Sequence, residues 1–526
     1  MLAEIMMRTD ILTQFVKLHV FNQLWLSFFL LIPLVLISRS VVAGTKYSPI
    51  LPIVVFGLAM GYVLVSSGVC TPGLPQFLGI DLISQTITVA LIASFFVGGQ
   101  ELRKVFGRTK IEEDESEIPS REELSVGTNR AQMVHIIRAF FLLLGIITAY
   151  RAIVGLNRDD DTSKYYPLIA YIGLVCSTIL MDRKAIIQDK KYYVRRGALE
   201  TVGIIFVLIG TFYVASWIEA TIALPQIFFA MLATCGLGAL FHKWRLGPTL
   251  KSLLFAGLPI VLAANFMIGG SKIAEAFAIT DMNSVLAFGF FGQIVWMFGG
   301  IALLMLFAKT SHVRNLAPAL AGGLSHAGLT GACTAGDLGG VAASRAPIMI
   351  NLPFAAHIFV FSILAVSAKN KVLFFWPAMA VFAAGIILTY LSLRAIKKSD
   401  EQDSKEVKGL MKFALGWQIA AIFGGFILLS CFNMPLHYVA VSVTSSLSHF
   451  GLFAATQGGM FGRDVADMLP FIFAMPFLVH PFVFFLFGRA MEKGGHMPRM
   501  PVFVLVGIGL IGVIYALMAI KAKLPV

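Results

Sequence analysis

The residues best placed for chemistry fall in one short run, LSHAGLTGACTAGDLGG, at positions 324–340. Five of its seventeen residues are Gly, and among them stand Ser325, His326, Thr330, Thr334 and Asp337. The run occurs twice. Residues 447–484 align with 324–361 without a gap, at an offset of 123. Leu324, Ser325, His326, Gly328 and Leu329 recur as Leu447, Ser448, His449, Gly451 and Leu452. Gly336, Pro353, Phe354 and His357 recur as Gly459, Pro476, Phe477 and His480. Two apolar segments match by chance at Leu, Ala or Phe. They do not so readily match at a Ser, a Pro and two His in register.

These residue types suit the binding of a solute or ion. Gly-rich backbone exposes its N–H and C=O groups without side-chain obstruction. Hydroxyls and imidazoles add adjustable donors and acceptors. The candidate binding residues are Ser325, His326, Gly328, Thr330, Thr334 and Asp337 in the first copy. In the second they are Ser448, His449, Gly451, Thr456, Gln457, Asp464 and Asp467. His326 and His449 are read either as solute, proton or metal contacts or as hydrogen-bonding residues between helices. His357 and His480, in a PF-x-x-H pattern on apolar segments, are read as packing residues. A carboxylate at the centre of a membrane costs about 2.5–3.5 kcal/mol on insertion scales, so Asp337 belongs in a cavity or at a hairpin end. Its register partner is Met460, leaving Asp464 and Asp467 as functional counterparts or simple loop residues. Arg345 and Arg463 are expected to pair with these acids or to attract an anion.

What must position such residues is set by composition. The chain of 526 residues is 58% hydrophobic and only 13% charged, more apolar surface than a water-soluble fold of this size can hide. A helix of about 20 apolar residues spans a bilayer, and by that rule roughly 13 to 16 segments qualify. The expected fold is an all-α polytopic membrane protein whose two Gly-rich segments, 316–340 and 437–462, are broken or re-entrant. The expected organisation begins with an amphipathic helix at 1–20 and a three-span bundle at 21–106. A polar cytoplasmic loop at 107–131 and middle spans at 132–250 follow. Motif-bearing repeats at 251–393 and 411–526 flank a basic cytoplasmic loop at 394–410. The net charge of +13 fits basic cytoplasmic loops rather than a nucleic-acid surface. The five cysteines are scattered without ligand spacing, which argues against a disulfide or zinc framework.

Charge and parity constrain topology. Placing the basic stretch 183–196 inside puts 394–410 outside if 316–340 crosses fully, and inside if it forms a hairpin. Three spans separate the two copies. Two hairpins would then enter from opposite faces, as in inverted-repeat transporters, whereas two full crossings would make a parallel repeat. No nucleotide-binding, hydrolase or metalloprotease signature occurs in a suitable context, so the chain is read as a non-enzyme.

The stretch TKYSPILPIVVFGLAMGYVL (45–64), followed by IDLISQTITVALIASFFVGGQELRKVFG (80–107), resembles the opening of a repeat in the sodium/glutamate symporter family. More broadly, it is similar to cation:proton antiporter-like folds. Those families pair a Pro-flanked, Gly-containing helix with an Asp-led apolar span ending in a basic turn. GLTGACTAGDLGG and GLFAATQGGMFGRDVADM resemble the re-entrant segments of the symporters, although both copies lie in the C-terminal half here. The resemblance implies sodium- or proton-coupled transport of a small anion, with the Gly-rich backbone near it. No organic cofactor or tightly held metal is expected, and sodium is the candidate ion. Expected partners are the bilayer, the solute, and a second copy or other membrane subunits, with no nucleic acid. The expected location is a bacterial inner membrane. Two alternatives stand beside this reading: a scaffold or channel subunit of a membrane complex, and a haem or metal protein using the four His.

Overall fold

The computed structural model describes residues 20–69, 78–106, 129–155, 163–180, 183–219, 226–244, 246–278, 283–398, 404–457, 459–462, 465–466, 468 and 476–523. The expected amphipathic helix at 1–20 except Val20, most of the loop 107–131, and Arg463, Asp464 and Asp467 therefore lie outside the described residues.

The protein is an all-α integral membrane protein. Among the described residues, nine helices are long and apolar enough to cross a bilayer, and four shorter apolar helices accompany them. The N-terminal half comprises α1 (Val20–Val41), α2 (Ile50–Ser66), α3 (Leu78–Ser84), α4 (Ile87–Phe106), α5 (Asn129–Val154), α6 (Tyr166–Ile179), α7 (Arg183–Glu219) and α8 (Gln226–Leu240). It closes with a long helix made of α9 (Pro248–Ser252), a π turn and α10 (Leu258–Ala278). Two tight pairs form its frame. Gly57, Gly61 and Gly270 leave no room for a side chain where α2 meets α10, and Gly99 with Gly238 do the same where α4 meets α8.

A polar knot ties this half together at one place. Arg138 on α5 is buried and donates to the carbonyls of Ser177 at 3.0 Å and Pro248 at 2.6 Å. Glu200 on α7 accepts the backbone N–H groups of Gly247, Thr249 and Leu250 at the start of α9. These N–H groups are the ones a helix start leaves without intrahelical partners.

The C-terminal half is a duplication. Its first copy runs through α11 (Asn283–Phe307), α12 (Val313–Gly323), α13 (Ala327–Thr334), α14 (Gly340–Ala355), α15 (His357–Asn370) and α16 (Phe375–Lys397). The second runs through α17 (Ser404–Ser430), α18 (Leu436–Leu447), α19 (Phe450–Gln457), α20 (His480–Glu492) and α21 (Arg499–Lys523). The packing is exchanged between copies: α16 lies on α17 and α11 on α21, while α11 lies on α18 and α17 on α12.

In the first copy α12 and α13 form a V with His326 at its tip. Both feet of this V stand beside one stretch of the second copy. The Val313 N–H donates to Gly495 O at 2.8 Å, the Met497 N–H to Ser311 O at 2.9 Å, and Gly339 packs beside Met491. The second V, α18 and α19, begins directly after α17, and its far foot places Phe461 6.3 Å from Phe426 near the end of α17. The two Vs enter from opposite ends of the bundle. α12 starts from the C-terminal end of α11. α18 runs parallel to α11, because Ser445 abuts Gly289, Ser446 abuts Gly292 and Ser448 bonds Gln293.

Two polar stretches are largely helical. The basic stretch 183–196 forms the first turns of α7, whose 37 residues make a helix about 55 Å long, longer than a bilayer is thick. The stretch 394–410 holds the last turn of α16 and the first turns of α17.

Candidate functional site

The two V tips meet at the centre of the C-terminal half. Each is made by a helix that stops on a serine. α12 ends with Ser325 at φ 46°, where its N–H donates to Gly322 O and the His326 N–H to Ala321 O, both at 3.1 Å. This is the paired C-terminal closure in which Gly normally takes the left-handed position. Ser448 occupies the same conformation at φ 48°. A side chain in that region carries strain on the order of 1–2 kcal/mol, so the serine must offer something a glycine cannot.

That something is the hydroxyl. The Gln418 amide lies 2.8 Å from Ser325 Oγ and 2.8 Å from His449 Nε2. The Gln293 amide lies 3.1 Å from Ser448 Oγ and 3.1 Å from His326 Nε2. Each glutamine therefore joins the histidine of its own copy to the serine of the other. Where the tips touch, His326 and His449 form an antiparallel backbone bridge.

Each histidine also starts the next helix. His326 Nδ1 accepts the Leu329 N–H at 3.2 Å, and His449 Nδ1 accepts those of Gly451 and Leu452 at 3.1 and 3.2 Å. A neutral imidazole that accepts at Nδ1 carries its proton at Nε2. Both Nε2–H groups therefore donate, and each glutamine turns its carbonyl oxygen toward its histidine, an orientation set by hydrogen-bond logic. The opposite end of each carboxamide is buried without a hydrogen-bond partner.

The exchange continues at His357 and His480. The His326 ring stacks on His480 with centroids 4.4 Å apart, and His449 Nε2 lies 3.3 Å from His357 Nε2. Gly328 abuts His480 and Phe484, while Gly451 abuts His357 and Phe361, so each glycine makes room for the other copy's histidine. All four His are wholly buried. Ala327 and Ser448 border a small cavity of about 10 Å³ with Asn265 and Phe477. That is room for about one water.

The expected binding residues separate into two groups. Ser325, His326, Gly328, Ser448, His449 and Gly451 converge at the crossing. Thr330 stands one turn beyond His326 with its hydroxyl buried and unpartnered. Thr456 and Thr334 bond back into their own helices, at 2.7 Å to Leu452 O and 2.8 Å to Thr330 O. Asp337 stands at the foot of the first V, where it accepts the Ser48 hydroxyl at 2.8 Å. Of Gln457 the backbone alone is described, as the last residue of α19. Arg345 pairs with Glu406 at 3.3 Å and also contacts Asn315, not Asp337.

Gln293 and Gln418 were not among the expected residues, yet a second duplication marks them. Gln293-Ile294 and Phe298-Gly299-Gly300 recur as Gln418-Ile419 and Phe423-Gly424-Gly425, at an offset of 125 rather than 123. His357 and His480, read from sequence as packing residues, are contacts of the tips. Among the described residues no three His, Cys, Asp or Glu side chains gather as metal ligands. The paired rings touch each other directly, leaving no space for a macrocycle between them.

No protein-family model, curated protein or solved structure matches this chain.

Proposed function

We propose that the protein is a secondary transporter that couples a cation gradient, sodium or proton, to movement of a small anionic solute across a bacterial inner membrane. The observation that carries this reading is the exchanged crossing. Two broken segments approach from opposite ends, and each tip is held by residues of both copies. Irregular backbone at membrane depth is tolerated only where protein or a water-filled site satisfies it, and transporters with inverted repeats build their solute sites in this way.

In this reading the two Vs dip into the membrane from opposite faces. The solute binds among Ser325, His326, Ser448 and His449, with Gln293 and Gln418 as the fixed braces. Small rotations of one tip relative to the other open the site first to one side and then to the other. The resemblance of residues 45–107 to sodium/glutamate symporters supports the same class of activity.

The test is solid-supported-membrane electrophysiology on purified protein in liposomes. Sodium and proton jumps are applied with a panel of small organic and inorganic anions. The expected result is an anion-dependent current that disappears in His326→Ala/His449→Ala. A current unchanged in the double variant would place the site elsewhere.

A further inference from the structure

At His480 a backbone carbonyl fixes which ring nitrogen carries the proton. His480 Nδ1 lies 3.2 Å from Pro476 O. A carbonyl can only accept, so Nδ1 carries the proton and Nε2 is bare. That bare nitrogen is buried and has no hydrogen-bond partner. At the other three histidines Nε2 is engaged: His326 with Gln293, His449 with Gln418, and His357 with His449.

Among the described residues, the ring neighbours of His480 carry no charge. His326 stacks on it from the tip, Phe266 faces it from α10, and Phe477 and Phe484 flank it on its own segment. Gly328 abuts it as well. In these contacts His326 is the one titratable neighbour, with no Asp, Glu, Lys or Arg. The small cavity bordered by Phe477 and Ala327, chain neighbours of His480 and His326 respectively within three residues, has room for a water.

We infer that His480 is the proton-carrying residue of the transport cycle, so that the coupling ion is a proton and the solute travels with it. The inference rests on the transport reading and deepens it. A hydronium ion gives up one O–H proton to the Nε2 lone pair, leaving water and an imidazolium; on the opposite side the Nε2–H bond breaks and the proton passes to a water, restoring the neutral ring. An imidazolium alone in this apolar pocket is costly, and so is an anion alone. Bound together they offset each other. The empty site and the doubly loaded site are the favoured states, which couples the two movements and suppresses leak of either. The second copy's histidine serves because its counterpart, His357, already faces the His449 Nε2–H.

The experiment uses the full chain in lipid nanodiscs, with succinate, glutamate, acetate and inorganic phosphate as probes. Calorimetry reads binding, and a dye in weakly buffered solution reads proton uptake. Binding should bring uptake of about one proton per chain, the signature of linked protonation. His480→Gln should lose that uptake, and His357→Gln should keep it; size-exclusion profiles confirm that both variants are folded. Anion binding without proton uptake in the unaltered protein overturns the inference and leaves the binding site intact. If no probe binds, nitrogen NMR on labelled histidine decides. A bare His480 Nε2 at neutral pH is expected, and one that is already protonated in the anion-free protein overturns the inference. Proton uptake without any anion-driven current instead counts against the transport reading alone.

Discussion

At the scale of the residue, the crossing is held by two side chains doing the same task twice. Gln418 serves Ser325 and His449, and Gln293 serves Ser448 and His326. Gln418→Leu leaves a buried imidazole N–H and a buried hydroxyl without that partner. The expected cost is about 1–3 kcal/mol, read as a lower melting temperature in detergent, together with loss of anion-driven current. Ser325→Gly separates function from folding. Glycine relieves the left-handed strain but loses one hydrogen bond, terms of similar size, each about 1 kcal/mol. Stability should therefore stay near that of the unaltered protein while transport falls. A variant that transports normally would show that the Ser325 hydroxyl is not part of the site.

At the scale of the element, close helix contacts and one ion pair fix where the Vs stand. Gly289 and Gly292 let α11 lie directly on the end of α18. Gly289→Leu drives a side chain into Ser445, and overpacking of this kind costs about 1–3 kcal/mol or more. The expected outcome is a reduced yield of folded protein in fluorescence-detected size exclusion. At the foot of the first V, Arg345 on α14 and Glu406 on α17 make a buried pair, with Asn315 of α12 between them. Removing one partner strands the other charge, at about 3–5 kcal/mol. Arg345→Met and Glu406→Gln should each lower the melting temperature more than half as much as the double variant does, because the double variant strands nothing. Strictly additive shifts would mean the pair is not coupled. The sequence made much of this legible. Hydropathy located most of the spans, and the matched Ser-His-x-Gly runs located both tips. Hydropathy could not show that 183–196 continues a helix, because a helix that leaves the bilayer becomes polar without ending. Register alone could not find Gln293 and Gln418 either. Their spacings to the tip histidines differ, 33 residues in one copy and 31 in the other. Nor could it pair Arg345 with Glu406, a partner 61 residues away on another helix.

At the scale of the whole molecule, the two Vs approach from opposite ends, and this is open to direct test. Lys309 follows the end of α11, and Lys371 follows the end of α15 next to the start of α16. Lys309→Cys and Lys371→Cys, each in a background lacking the five native cysteines, should react with an impermeant maleimide from opposite sides of the membrane. Labelling of both from one side would overturn the inverted arrangement. The exchange of partners between copies also fixes an order of assembly. Gln418 is made 93 residues after the Ser325 that it holds. At ordinary synthesis rates of about 5–20 residues per second, the first tip waits on the order of 5–20 s before its partners exist. During that interval a strained serine and an uncovered imidazole stand at the end of a helix too short to cross the bilayer. The cell's insertion machinery, or water admitted beside the nascent chain, must shelter them until the second copy arrives. Ribosome-bound chains ending between the two copies are therefore where crosslinkers at Ser325 should capture that shelter.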